Sequence, residues 1–305
     1  MGVVMGQGYQ DRDAEIIDYQ LWKEDGIGGV LRGPKPDNLI EGEYISCVGA
    51  AQTFGCYVKS TYVEKIGKSL GCGALNMGIS GAGPGFFLSR PAFVEKVNHG
   101  KLAIIQVMSG RSVANSLYST NGKEMLVRIS DGVKKGAAPM YAELLQSKNS
   151  QLISAVLHET RNNWVSEYIE LLNRITVPKI LLWFSVRTPE YSANLNNVHD
   201  FFGEFPQLVN REMINLIKGY ADDYIECTTD AGMPQKLISQ YTGKPVTINK
   251  RADLGGNKKS YNDYYPSPEM HDMAAKIILE KLKGGYCDTT CAIDSKSSWI
   301  TSLFR

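Results

Sequence analysis

Two arginines follow predicted core strands directly, at positions where folding rarely requires a charge. Arg111 comes after one apolar run and Arg187 after another. A guanidinium group presents a planar fork of N–H donors that suits a carboxylate, phosphate or sulfate. These arginines, with Arg161 as a candidate third member, therefore predict an arginine-lined anion site. The alternative is that each pairs with a local acid, such as Glu190 or Glu269, and fixes a loop.

Nucleophilic and basic side chains are scarce near these arginines. Ser109 and Ser112 follow the first of the two strands, and Ser185 follows the second. A serine becomes a nucleophile when a base lies within hydrogen-bond reach. Of the four histidines in the chain, His271 is the one predicted near these loops. We expect His271 either to act as a base or to cap and pack the last helix.

The segment before the last predicted helix adds acidic and phenolic groups. It contains Asp263, Tyr264 and Tyr265. Tyr265, Asp263 or His271 would transfer a proton in a reaction, and the two tyrosines would stack on a sugar ring or donate a hydrogen bond. The alternative for the tyrosines is packing against the neighbouring prolines.

Two turns of small residues lie at the ends of two other strands. Residues 49–55 include Ala51, Gln52 and Thr53, and the second turn runs from Asn76 to Gly81. Glycine allows a backbone to approach a ligand closely. We expect both turns to border a substrate site, with Gln52, Thr53 and backbone N–H groups holding the reacting centre. Asn76 is expected to fix the second turn, and the alternative is that its side chain contacts a ligand directly.

Buried strands that alternate with helices must position these residues. Apolar runs separated by helical patterns predict a parallel sheet covered on both faces. The predicted strands are residues 44–48, 74–77, 102–108, 179–184 and 224–227, and the predicted helices are residues 56–70, 152–175 and 267–282. Ligands of such sheets bind at the carboxyl ends of the strands, where the candidate residues lie.

The chain has 305 residues, and we expect one domain over residues 41–283. Residues 1–40 are predicted to form an irregular N-terminal arm, and residues 284–305 a loosely packed C-terminal tail. Residues 230–263 are predicted to form a long loop at the functional end of the sheet.

Composition argues against several classes of function. A net charge of +1 gives no reason to expect nucleic acid as a partner, and no apolar run approaches the roughly 18 residues that cross a bilayer. The N-terminus does not resemble a signal peptide. The six cysteines lack the spacing of a metal site, and reduced thiols fit a cytoplasmic location.

The order of these segments resembles the SGNH (GDSL-like) hydrolase superfamily over roughly residues 42–283. That family has a GDSxTxG block after its first strand, an NxGxxG block after its second, a GxND block after its third and a DxxHP block before its last helix. The matching residues are Gly49, Thr53 and Gly55 in the first block and Asn76, Gly78 and Gly81 in the second. The resemblance implies a flavodoxin-like three-layer α/β sandwich with a central, mostly parallel, five-stranded sheet.

The sequence departs from this family at the positions that carry out the family's reaction. The family's serine nucleophile falls on Ala51, its oxyanion-hole asparagine near Arg111 and its histidine on Tyr265, with His271 further along. The chain also resembles a bacterial and viral SGNH-like group that carries the strings GAAQTFG, QVMSGRS and YYPSPEMH. That resemblance brings no established reaction with it.

Three functions follow as expectations. The first is a transferase that moves an acyl or sulfuryl group onto a glycan or other hydroxyl acceptor. Its donor would bear a phosphate, as a coenzyme A thioester or a phosphosulfate does, and the arginines would neutralise charge. The second is a catalytically inactive module that binds a glycan or an anion. The third is an esterase with a relocated serine.

Overall fold

The computed structural model describes residues 7–37, 39–249 and 258–284. At its centre lies a five-stranded sheet in which every strand is parallel to its neighbours. The strands are β1 (Ile45–Gly49), β2 (Ala74–Gly78), β3 (Leu102–Gln106), β4 (Lys179–Ser185) and β5 (Asp223–Thr228). Their spatial order is β2-β1-β3-β4-β5. This is the flavodoxin-like order, and it confirms the predicted α/β fold class.

The strand sequences explain the position of the sheet. The side chains of β1 and β3 are buried along their whole length, as expected for strands covered on both faces. The chain order reverses between β1 and β3, so the turns that follow these strands diverge and leave a crevice at their carboxyl ends.

Helices cover both faces of the sheet. The helices of the described residues, which also include those of the arm and the insertion, are α1 (Gln7–Asp13), α2 (Ala51–Phe54), α3 (Tyr62–Leu70), α4 (Pro84–Leu88), α5 (Pro91–Asn98), α6 (Ala137–Gln146), α7 (Ser150–Arg174), α8 (Val198–Phe202), α9 (Arg211–Ile217) and α10 (Pro268–Leu282). Three short 3₁₀ segments are Asp25–Ile27, Gly110–Ser112 and Lys218–Tyr220. The sheet and its two helical layers form a three-layer sandwich.

Each helical layer buries an apolar stripe against one face of the sheet. Helices α3 and α10 pack on the first face, where Ile66 and Ile278 meet strand residues such as Ile104. Helices α4, α5, α7 and α9 pack on the other face, where Phe86 and Trp164 are buried. No helix among the described residues is long and apolar enough to cross a membrane.

An insertion between β3 and α7 was not predicted from the sequence. It contains a three-stranded antiparallel sheet, made of Tyr118–Ser119, Met125–Arg128 and Lys134–Gly136, followed by α6. Its own apolar cluster includes Leu126 and Met140. The insertion returns the chain to the carboxyl end of the sheet at Glu124.

Two segments differ from their predicted structure. The N-terminal arm is not irregular throughout, because it contains α1 and a hairpin of Trp22–Glu24 and Gly29–Leu31. The helix predicted from residue 56 begins only at Tyr62, after the N-cap residue Thr61, because Tyr57 has a left-handed backbone conformation (φ 64°).

The predicted long loop contains short pairs of strands. Gln235–Lys236 pairs with Tyr261–Asn262, and Ile248–Asn249 pairs with Lys258–Lys259. Residues 285–305 of the predicted tail lie outside the described residues.

Candidate functional site

The turn after β1 is held by a glutamine that interrupts an apolar strand. Gln106 Oε1 accepts hydrogen bonds from the backbone N–H of Ala50 at 3.0 Å and from Thr53 Oγ1 at 2.8 Å. An ideal Cβ on Gly49 would lie 2.4 Å from that same oxygen, so only glycine fits there. The sequence of β3 thus fixes the backbone from Gly49 to Thr53.

The turn after β2 is joined to the first turn. The Asn76 amide donates from Nδ2 to the carbonyl of Thr53 at 2.9 Å, and its Oδ1 accepts from the Gly78 N–H at 3.0 Å. A Cβ on Gly78 would lie 2.1 Å from the backbone nitrogen of Phe54. Asn76 therefore fixes the relative position of the two turns.

A narrow cleft opens where these turns meet the loop after β3. Its volume is about 30 Å³, which is enough for one water molecule or a small ligand group. Residues from seven separate segments line it: Tyr9, Ala50, Ala51, Gln52, Gly81, Ala82, Ser109, Arg111, Ser112, Glu124, Phe205, Tyr264 and Tyr265. We refer to this feature as the carboxyl-end cleft.

The central polar group of the cleft is the Arg111 guanidinium. Its Nη2 donates to Glu124 Oε2 at 2.6 Å and to the Tyr264 hydroxyl at 3.0 Å. Burial opposes the charge, but Tyr264 and Glu124 outweigh this effect and raise the pKa of Arg111. Within the described part of the chain, Nε and Nη1 donate no hydrogen bond. The guanidinium is thus fixed on one side and has unused donors on the other.

Two tyrosines form the opposite wall of the cleft. Tyr264 is held by Arg111 and by the side-chain amide of Gln207, whose Nε2 donates to the hydroxyl at 3.2 Å. The Tyr265 ring packs edge-on against Tyr264, with centroids 5.0 Å apart. It also packs against Tyr9 at 6.0 Å. Burial raises the pKa of Tyr265, so the phenol stays protonated at neutral pH.

The rest of the polar lining includes a side-chain oxygen that accepts no hydrogen bond from the described residues. Gln52 is 2% exposed, and its Oε1 has no hydrogen-bond partner among the described residues. The two serines are engaged structurally: Ser112 Oγ donates to the carbonyl of Gly81 at 2.9 Å, and Ser109 Oγ accepts from the Arg111 N–H at 3.2 Å. Neither serine is hydrogen-bonded to a base.

The structure therefore brings together eight of the residues singled out from the sequence. They are Ala51, Gln52, Gly81, Ser109, Arg111, Ser112, Tyr264 and Tyr265.

His271 lies in the core and does not line the cleft. It is fully buried, and its Nδ1 accepts a hydrogen bond from the Tyr62 N–H at 3.1 Å. Burial, together with the charges of Arg32 and Lys65, lowers the pKa of His271 to about 3. The side chain is neutral at pH 7 and packs α10 against α3. The packing interpretation of His271 matches this position, and the base interpretation does not.

Arg187 is likewise separate from the carboxyl-end cleft. Its guanidinium donates to four backbone carbonyls at 2.7–2.9 Å, those of Thr188, Glu204, Pro206 and Val209. Burial lowers the pKa of Arg187 to about 10, while Tyr191 and Glu204 partly oppose this. The expectation that Arg111 and Arg187 line one anion site is therefore wrong, because only Arg111 lies in the lining of the cleft. Arg187 fixes the loop after β4.

Three further predicted residues lie outside the cleft. Thr53 is buried behind the first turn, where its hydroxyl contacts Gln106 and Tyr62. Asn76 supports the turns and does not line the cleft. Asp263 is exposed and forms an ion pair with Lys259 at the surface.

A larger groove of about 580 Å³ lies at the other end of the sheet. Its lining includes Glu43, Cys72 and Ala74, which precede or begin strands. Both sites include a buried polar atom without a partner among the described residues, Arg32 Nε in the groove and Gln52 Oε1 in the smaller cleft. Ligands of open parallel sheets bind at the carboxyl ends of strands, which is where the smaller cleft lies. We therefore regard the carboxyl-end cleft as the better candidate site.

Sequence reasoning missed Tyr9, Glu124 and Phe205, which line the cleft, and Gln207, which supports Tyr264 from behind the lining. Tyr9 comes from the N-terminal arm, and Glu124 from the insertion after β3. Gln207 reaches Tyr264 from the loop before α9. No sequence pattern indicated these residues. The sequence did indicate the support of the first turn, because Gln106 is a single polar residue in an otherwise apolar strand.

The fold and the site define an α/β protein with a narrow polar cleft at the carboxyl ends of its parallel strands. In the described part of the chain, no group of three or more His, Cys, Asp or Glu residues could hold a metal ion.

A family described as a domain of unknown function, DUF6473, matches residues 8–123 and 140–283. Because this match covers well over half of the chain, the protein belongs to that family. No curated protein matches the chain.

Proposed function

We propose that this protein is an SGNH-like binding module whose carboxyl-end cleft holds the polar end of a glycan or similar hydroxyl-rich ligand. The observation that carries this proposal is the Arg111 guanidinium. It is anchored through Nη2 by Glu124 and Tyr264, and its two other nitrogens donate no hydrogen bond to any described residue. Planar polar side chains beside an aromatic wall suit a sugar, which offers hydroxyl groups and an apolar ring face.

The distribution of catalytic groups supports binding over serine hydrolysis. Ala51 occupies the position expected for an esterase nucleophile and has no hydroxyl. His271 is buried and hydrogen-bonded elsewhere, and the cleft serines make structural hydrogen bonds. A nucleophilic serine needs an adjacent base, and the described residues provide no such pair. A relocated-serine esterase is therefore the least supported of the three expected functions.

A second candidate is the transferase, and Glu124 is the observation that favours it. Glu124 Oε2 binds Arg111, while its Oε1 accepts no hydrogen bond from the described residues. In such a reaction an acceptor hydroxyl loses its proton to Glu124 as its oxygen displaces the leaving group of an acyl or sulfuryl donor. Arg111 would bind the negative charge that is present or develops.

Thermal-shift measurements test the binding proposal with neutral, acetylated, uronic and sulfated oligosaccharides, and with coenzyme A as a donor fragment. At least one oligosaccharide should raise the melting temperature. Arg111→Ala should weaken its binding about tenfold, the value of one charge-assisted hydrogen bond. The surface variant Arg174→Ala serves as the matched control and should bind as the wild type does.

Two results would refute the binding proposal: no oligosaccharide stabilises the protein, or Arg111→Ala leaves the stabilisation intact. Labelling of the wild-type chain by a serine-directed fluorophosphonate would instead favour the esterase. Stabilisation by coenzyme A together with product formation on an oligosaccharide would favour the transferase.

A further inference from the structure

The unpartnered oxygen of Gln52 narrows the class of ligand that the cleft accepts. This inference rests on the proposed function, because it concerns the group that enters the same cleft. A buried carbonyl oxygen without a donor is energetically unfavourable, so a bound ligand that supplies an N–H or O–H would remove that cost. Among the described residues Gln52 Oε1 is such a group: the residue is 2% exposed, and this oxygen has almost no accessible surface of its own. Gln52 lines the cleft, and a turn of its terminal amide about the soft Cγ–Cδ bond would bring Oε1 to face a ligand there.

The charges of the cleft favour a neutral group. Its charged lining residues are Arg111 and Glu124, which form an ion pair at 2.6 Å. Because their charges cancel, the cleft has no net attraction for an anion. Arg111 nevertheless retains N–H donors that have no partner in the described part of the chain, so it can donate to an uncharged carbonyl oxygen.

The size and the apolar lining favour a small substituent. The cleft has a volume of about 30 Å³, and its apolar wall consists of Ala50, Ala51, Ala82 and Phe205. A methyl group is small enough for such a space and gains from contact with this wall. A hydroxyl alone would leave the wall without an apolar partner.

We propose that the cleft recognises the secondary amide of an N-acyl amino sugar. The amide carbonyl accepts a hydrogen bond from Arg111, and the acyl methyl group packs on the alanines. The Gln52 side-chain amide turns on binding, so that its Oε1 accepts a hydrogen bond from the amide N–H of the ligand. The sugar ring lies outside the narrow part of the cleft, against Tyr264 and Tyr265. No bond is made or broken in this recognition, in agreement with the missing serine at position 51.

Two disaccharides that differ mainly in the substituent at carbon 2 test this proposal. Binding of the N-acetylglucosamine dimer and of the glucose dimer is measured by isothermal titration calorimetry. The wild type should bind the N-acetylated dimer about tenfold more tightly or better, the value of one added hydrogen bond to a buried group. Gln52→Met, which has similar volume and no hydrogen-bonding oxygen, should lose this preference, and the exposed control Gln240→Met should keep it.

The outcomes separate this inference from the proposed function. If both disaccharides bind equally, or if uronic or sulfated oligosaccharides bind better, the amide assignment is wrong while the glycan-binding proposal stands. If Gln52→Met keeps the preference and folds with the wild-type circular dichroism spectrum, Gln52 is not the recognising group and the assignment also fails. If no oligosaccharide binds the wild type, both proposals fail.

Discussion

Arg111 and Glu124 meet at 2.6 Å across the carboxyl-end cleft, although they come from different parts of the fold. Arg111 follows the core strand β3, whereas Glu124 belongs to the inserted antiparallel segment. Their pairing fixes one side of the guanidinium and cancels its charge. The specificity of the cleft for neutral or anionic ligands should therefore depend on Glu124.

Removing the carboxylate should convert the cleft into an anion site. Glu124→Gln keeps the shape of the side chain but leaves the charge of Arg111 uncompensated, so acetate and sulfate should stabilise this variant and not the wild type. Thermal-shift titrations with both salts, corrected with sodium chloride at equal ionic strength, measure the effect. Glu170→Gln, which removes an exposed carboxylate, is the control. Equal responses of Glu124→Gln and the wild type would show that Glu124 does not set the charge of the cleft.

Tyr9 should restrict entry to the cleft. Its ring packs on Phe54 at 5.1 Å and on Tyr265 at 6.0 Å, and its hydroxyl accepts a hydrogen bond from Ser80 Oγ at 2.7 Å. Tyr9→Ala should enlarge the cleft and tighten binding of oligosaccharides a few-fold, because the ring that lines the cleft no longer occupies space at its entrance. It should also cost about 2 kcal/mol of stability.

Tyr9→Phe keeps the ring and serves as the comparison for Tyr9→Ala. It should bind oligosaccharides as the wild type does, since the ring and not the hydroxyl closes the cleft. Calorimetric titration of both variants gives the affinities. Weaker binding by Tyr9→Ala would mean that the ring contacts the ligand rather than restricting access.

Asn76 should stabilise the fold through the two turns. Asn76→Ala removes two buried hydrogen bonds and leaves the carbonyl of Thr53 and the N–H of Gly78 unpaired. The free energy of unfolding should fall by about 2–4 kcal/mol. Urea denaturation followed by circular dichroism provides the measurement.

Asn98→Ala is a matched control for this loss. Asn98 also bonds one backbone carbonyl and one backbone N–H, those of Arg174 and Thr176, but these hydrogen bonds are exposed to solvent. Its replacement should cost less than about 1 kcal/mol, because water can satisfy the freed groups. Similar losses from both variants would show that burial of Asn76 between the turns does not increase what its hydrogen bonds contribute to the free energy of unfolding.

Glu167 should make stability depend on pH. Burial raises the pKa of Glu167 to about 7, against an ordinary value of 4.5, although the Gly85 N–H donates to the carboxylate and lowers it in part. The folded protein therefore holds a proton that the unfolded chain releases. This contribution is fully present below pH 4.5 and is lost as the pH rises through about 7.

Glu167→Gln removes that titration. Its free energy of unfolding relative to the wild type should rise by about 2–3 kcal/mol between pH 4 and pH 8. Denaturation at several pH values measures the difference, and the exposed neighbour Glu170→Gln should show little change. A difference that does not vary with pH would show that Glu167 titrates normally in the folded protein.

The sequence predicted the sheet because its strands are continuous apolar runs. It also predicted eight cleft residues, because the carboxyl ends of parallel strands lie at one edge of the sheet and the loops that follow them meet there. It did not predict which arginine faces the cleft. Arg187 is surrounded by carbonyls of the loop around Glu204, and that loop is brought to it only by the tertiary fold.

The sequence contains a pattern that indicates the buried position of His271. His271, Ala275, Ile278 and Leu282 recur at helical spacing and form the buried stripe of α10. This pattern places the histidine on the core side of the helix. Tyr9 and Glu124 had no comparable signal, because they reach the cleft from an arm and an insertion whose packing depends on contacts distant in sequence.

The most direct test of the account is to locate the bound ligand. Backbone amide resonances of the protein are followed by NMR during titration with the N-acetylglucosamine dimer and with the glucose dimer. We predict that whichever dimer binds shifts the amides of Ala51 and Gly81 in the cleft. Those of Gly71 and Cys72, in the larger groove at the opposite end of the sheet, should stay unchanged. Shifts confined to Gly71 and Cys72, or no shifts with either dimer, would contradict the assignment of the carboxyl-end cleft as a glycan-binding site.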